Sequence, residues 1–97
     1  MILEAAILKV KPESSSDFES GFRGASRLLA EAPGYIGHEL HKCVERADQY
    51  LLLVRWNSIS DPIAGFRKSE AYRTWQELLS PWCETETSGE HYVEIRT

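Results

Sequence analysis

Cysteine is scarce in this chain. Cys43 and Cys83 stand alone, with no CxxC pair and too few thiols for a disulfide framework, so reduced thiols in a cytoplasmic protein are expected. Long apolar runs are missing too. They stay as short as Leu51–Val54, which excludes a helical membrane span. The N-terminal MILEAAILKV has no basic lead and carries Glu4 inside its apolar run, so it does not read as a signal peptide. Basic residues never cluster beyond two neighbours, and the net charge is -4. A phosphate backbone would meet net repulsion, which argues against nucleic-acid binding. No repeat, linker or low-complexity segment interrupts the chain, and neither a Gly-rich phosphate loop nor a Ser-centred nucleophile motif occurs.

What is present is an ordinary globular composition. The chain has 97 residues, 42% hydrophobic and 10% aromatic, the size of one domain spanning residues 1–97. A chain this short buries only about 60–65% of its unfolded surface, so its stability would gain from a partner subunit.

Ile2 to Val10 alternates as a strand, with Leu3, Ala5 and Ile7 on one face. Ile2, Ala6, Leu8 and Val10 form the other face, with Glu4 among them. Ser16 followed by Glu19 has the spacing of a capping box. The helix after it carries Phe18, Phe22, Ala25, Leu28, Leu29 and Ala32 at helical spacing. Gly21 and Gly24 inside it suggest close packing against a sheet, with flexibility as the alternative, and Pro33-Gly34 ends it. A second strand is expected from Tyr35 to Val44, with Ile36, His38, Leu40, Lys42 and Val44 on one face. A turn at Arg46–Asp48 leads into a third strand, Gln49 to Trp56.

Asp61 can cap a short helix opened by Pro62, and Ser69 can cap the next. That second helix sets Tyr72, Trp75, Leu78 and Leu79 on one face. Trp82 to Gly89 reads as a polar loop or arm. Glu90 to Arg96 alternates as a last strand, with His91, Val93 and Ile95 together. The order strand, helix, strand, strand, helices, strand gives an α+β fold of the ferredoxin-like, split β-α-β kind: a four-stranded antiparallel sheet with helices on one face. Strands one and three are apolar on both faces, and the chain has no helix left to cover the second. A second copy of the sheet is the economical cover, so a homodimer is expected.

Several side chains bear chemistry. His91 is the best general-base candidate, because histidine is poised near neutral pH; a hydrogen-bonded core histidine is the alternative. His38 sits beside Ile36 and Leu40 with the same two readings. Arg67 can hold a phenolate or carboxylate as a fixed positive charge, or be a solvated charge on a helix face. Phe66, Tyr72 and Trp75 can wall a pocket or simply fill the core. His38 and His41 point to opposite faces of a strand and cannot chelate one ion, so no metal site is expected.

MILEAAILKVKP, APGYIGHEL, YLLLVRWNS, GFRKSEAYRTWQELL and the late GEHY together resemble the antibiotic biosynthesis monooxygenase family along essentially the whole chain. The resemblance implies a dimeric α+β barrel with a pocket between sheet and helices of each subunit. It also implies oxidation of an electron-rich, anthrone- or quinol-like aromatic with O2 and no metal, flavin or haem. His91 and Arg67 then become candidate catalytic residues, and His38, Phe66, Tyr72 and Trp75 candidate substrate contacts. Haem-degrading relatives place Asn, Trp and His where this chain has Ile7, Phe66 and Gln76, so haem degradation is not expected. The Pro-His step that other branches carry is Glu70-Ala71 here. A His before Gly-Phe-Arg and a His pair after Leu-Leu are replaced by Pro62 and Ser80-Pro81. Two alternatives stay open: a non-catalytic small-molecule-binding dimer, and an isomerase or cyclase using the same pocket.

Overall fold

A computed structural model describes residues 1–86 and 89–97. Strand β1 (Ile2–Val10) is followed by helix α1 (Ser15–Ala30), then β2 (Tyr35–Lys42) and β3 (Gln49–Trp56). A π-helical turn (Asp61–Gly65) and a 3-10 turn (Phe66–Lys68) lead into α2 (Glu70–Leu79), and β4 (Cys83–Glu86) and β5 (Glu90–Tyr92) close the chain. The sheet is antiparallel in the order β2-β3-β1-β4, with β5 also on β1. Its architecture is the expected α+β, ferredoxin-like one, but with five strands rather than four. β4 pairs with Leu8–Val10 and β5 with Leu3–Ala5, so the two lie end to end along one edge of β1 and together fill the fourth lane.

Three segments differ from the sequence-based expectation. Part of the polar stretch read as an arm is strand β4, because its backbone completes the edge of β1 that would otherwise stay unpaired; Thr87 and Ser88 of that stretch lie outside the described residues. The last strand stops at Tyr92, and Val93 and Ile95 are 62% and 75% exposed instead of sharing a covered face with His91. β2 stops at Lys42, and a register shift between Tyr35 and Gly37 makes Ile36 the odd residue. Such a bulge moves side chains to the other face: Tyr35 turns to the helix side opposite Trp56, and Ile36 is exposed.

Helix α1 buries Phe18, Phe22, Ala25 and Leu29, and α2 buries Trp75 and Leu79. Both pack on the sheet face that carries Ala6, Leu8, Val10, Leu52, Val54 and Trp56. Each Val, Leu or Phe among them taken from water contributes about 1.5–3 kcal/mol. The capping box at Ser16 does not form; the helix starts two residues earlier behind Ser14, which makes no side-chain cap. Glu19 accepts instead from the Tyr50 hydroxyl at 2.5 Å, tying α1 to β3. Asp61 does not cap Pro62 either. Its carboxylate takes the Ser58 N–H and hydroxyl and rests on Gly34, whose φ of 84° and missing side chain both matter to the turn before β2. Gly21 makes its close approach to the Trp82 ring rather than to the sheet.

The opposite sheet face carries Leu3, Ala5, Ile7, Leu51 and Leu53, and neither helix lies over it. Ile7 and Leu51 are each 38% exposed there.

Candidate functional site

The site begins with one residue out of place. Glu4 shares the inner face of β1 with Ala6 and Leu8, and it is only 6% exposed. A carboxylate taken from water is costly unless donors replace the water. Three neighbours surround it. Trp56, at the end of β3, donates its indole N–H to Oε1 at 3.0 Å. Arg67, on the 3-10 turn, donates to Oε2 at 3.1 Å. His91 lies directly across from Glu4 in the β1–β5 pairing and brings Nε2 to 3.3 Å from Oε2. That contact has ion-pair distance without hydrogen-bond alignment, and Nε2 has no hydrogen-bond partner among the described residues. Gly89 closes the cluster: a Cβ there would fall 2.4 Å from Glu4 Oε2.

The turns that deliver Arg67 and Phe66 are fixed from the next helix. Ser69 accepts the Tyr72 N–H at 3.2 Å and donates to the Phe66 carbonyl at 2.6 Å, the cap expected from the sequence. Such caps are worth about 1 kcal/mol. Arg67 also lies over the Tyr72 ring, 5.7 Å from its centroid. Phe66 sits among Trp56, Tyr72 and Trp75, with ring centroids 6.1, 5.4 and 5.9 Å away.

Between these groups lies a cavity of about 20 Å³, walled by Glu4, Ala6, Leu29, Leu52, Val54, Phe66, Arg67, Tyr72 and Trp75. Such a space holds about one water-sized guest. Trp75 is 1% exposed, and its indole N–H has no acceptor among the described residues. Phe66 faces two spaces, because it also walls an apolar groove of about 270 Å³ with Leu28, Ala32, Pro33 and Ala71.

Of the candidates named from sequence, Arg67, Phe66, Tyr72 and Trp75 line this cavity, and His91 joins it through Glu4. His38 does not. It lines a separate groove of about 340 Å³ with Glu19, Arg23, Lys42 and Tyr50. Its Nδ1 is 2.6 Å from the Tyr35 hydroxyl, and its ring edge meets Phe22, which in turn abuts Trp75. Burial pushes the His38 pKa below the usual histidine value. Glu4 is the residue that sequence reading passed over. Its signal was there: a single acid in an otherwise apolar strand face. Among the described residues no three His, Cys, Asp or Glu side chains gather as a metal site, and no helix is long and apolar enough to cross a membrane.

The arrangement suits proton transfer beside an apolar chamber. A carboxylate, an imidazole and a guanidinium converge at one end, and aromatic rings form the rest.

Comparison with known proteins adds the family context. The family model described as antibiotic biosynthesis monooxygenase matches residues 1–78. An uncharacterized Bacillus subtilis (strain 168) protein, YczJ, is 38% identical over 95 residues, covering 98% of this chain and 100% of its own. The crystal structure of a candidate antibiotic biosynthesis monooxygenase from Bordetella bronchiseptica superposes with a TM-score of 0.91 at 28% identity, covering 98% of this chain and 97% of that one. SnoaB, a cofactor-independent oxygenase from Streptomyces nogalater, superposes with a TM-score of 0.82 over 99% of this chain and 94% of its own. At 16% identity, that likeness is one of fold.

Proposed function

The chain belongs to the antibiotic biosynthesis monooxygenase family, and from that premise we propose that it is a cofactor-independent monooxygenase that oxidises an electron-rich, anthrone- or quinol-like aromatic with O2. The observation that carries this reading is the buried Glu4, held by Trp56 and Arg67 and faced by His91, at the wall of an aromatic cavity.

Anthrone carries the acidic C–H that this chemistry needs. The pair formed by Glu4, which walls the cavity, and His91 behind it accepts a proton from the acidic ring CH2, and the electron pair moves into the ring and onto its oxygen. Arg67 stabilises that anion. The anion passes one electron to O2, the ring radical and superoxide combine as a peroxide anion, and the proton held by the Glu4–His91 pair returns to give the hydroperoxide. Loss of water from the hydroperoxide leaves the quinone, so anthrone and O2 become anthraquinone and water. The apolar walls keep bulk water from the anion.

In the same proposal the working unit is a cytoplasmic homodimer. The apolar outer face with Leu3, Ala5, Leu51 and Leu53 packs against its copy, and Cys43 and Cys83 remain thiols.

Anthrone incubated with the protein under air tests the reaction. Anthraquinone should form with one O2 consumed per quinone, and His91→Ala should lower the rate about 100-fold. A rate no higher than buffer on anthrone and on naphthoquinols would overturn the oxygenase reading. Binding without turnover, unchanged in His91→Ala, would mark a non-catalytic binder.

A further inference from the structure

Resting on the reading of this cavity as a ligand site, we propose that Trp75 holds an oxygen of the bound molecule through its indole N–H. The site thereby selects flat aromatics that carry an acceptor oxygen, such as a ring ketone or phenolate, over the bare hydrocarbon.

Two tryptophans in this core invite comparison. Trp56 and Trp75 are 0% and 1% exposed. The N–H of Trp56 is satisfied by Glu4 at 3.0 Å, whereas that of Trp75 has no acceptor among the described residues. A buried donor left without a partner destabilises the fold, so proteins rarely keep one without a use. The Trp75 ring is a wall of the cavity, and its aliphatic neighbours there, Leu29, Leu52 and Val54, offer no acceptor. The Glu4 oxygens are committed to Trp56 and Arg67. With no acceptor among the described residues, the Trp75 N–H is open to an oxygen brought in by a guest.

Room for the rest of that guest lies behind Phe66. The cavity takes a single oxygen-sized group, about 20 Å³, while the groove beyond Phe66 is about 270 Å³. Phe66 follows directly on the π-helical turn Asp61–Gly65 and starts the 3-10 turn, a junction without continuous α-helical bonding. Turning its ring joins the two spaces, so a planar ring system can lie across the Phe66 position with its oxygen against Trp75. A ring oxygen gains negative charge when the neighbouring C–H is deprotonated, so the Trp75 N–H then binds the anion more strongly than the neutral guest.

The test compares two ligands built on the same fused ring pair, 1-naphthol and naphthalene, on the ¹⁵N-labelled protein. The chain has three tryptophans, and Trp75→Phe identifies which indole N–H signal belongs to Trp75. That signal should move downfield on addition of 1-naphthol and stay near its place with naphthalene. Trp75→Phe should weaken 1-naphthol about tenfold and naphthalene less than about twofold. Binding of 1-naphthol that leaves the Trp75 signal unmoved overturns this inference and leaves the proposed oxidation standing, as does an equal loss for both ligands in Trp75→Phe. Binding of neither ligand overturns both. Where that variant folds poorly, through-bond resonance assignment identifies the Trp75 signal, and the titration of the unaltered protein still decides the matter.

Discussion

His91 Nε2 stands 3.3 Å from Glu4 Oε2, the same oxygen that Arg67 holds at 3.1 Å. One carboxylate oxygen thus joins the first strand, the last strand and the turn before α2. Replacing it by an amide keeps the shape and an acceptor for Trp56 but removes the charge that orients the imidazole. Glu4→Gln should lower anthrone turnover by about 100-fold, the low end of the range for a lost acid–base group. Steady-state rates alongside circular dichroism measure this; a variant that keeps full activity would remove Glu4 from the mechanism.

Gly89 and Gly24 make a matched pair. A Cβ at Gly89 would lie 2.4 Å from Glu4 Oε2, while one at Gly24 meets nothing within 4 Å. Gly89→Ala should destabilise by about 1–3 kcal/mol through overpacking and reduce turnover by displacing Glu4. Gly24→Ala, in the middle of α1, should stabilise by about 0.4–1 kcal/mol. Thermal melts read both, and each kcal/mol amounts to about 4–8 °C in a domain of this size.

Phe66→Ala should cost about 3–5 kcal/mol, as for other buried aromatics cut to alanine. It should also merge the cavity with the groove beyond and shift preference toward larger ring systems. Relative kcat/KM for anthrone against a bulkier tetracyclic analogue is the measure. An unchanged ratio would show that Phe66 does not partition the chamber.

Leu51 lies on the sheet face away from the helices and is 38% exposed. Leu51→Glu should turn a dimer into a monomer, because a charge buried between two sheets lacks a partner. Light scattering at micromolar concentration distinguishes the two species; an unaltered protein that is already monomeric would sink the dimer proposal.

Burial holds the His38 pKa below its usual value of 6.5. The unfolded state therefore binds more protons than the folded one in the window below that value, and stability falls as pH drops through it. Urea melts between about pH 7 and pH 5 should show this loss, and His38→Phe should flatten part of it. An unchanged pH slope in that variant would assign the loss to other groups.

Local patterns in the sequence foretold much of this structure. The Ser69 cap and the stripe holding Tyr72, Trp75 and Leu79 are short-range features, and α2 keeps them. Two apolar faces on β1 and β3 were equally plain. Pairing was not. Nothing near Ile36 announces a bulge, so the faces of Tyr35 and Ile36 were exchanged. Strand β4 is polar and short, and only the open edge of β1 makes it a strand. The meeting of Glu4 with His91 depends on a register set between the ends of the chain. Alternation along β1 marks Glu4 as odd but cannot say which residue answers it.

Because residues 4 and 91 meet only when β5 docks on β1, fraying of that three-residue edge strand would part the acid from its imidazole while the two helices stay packed on the sheet.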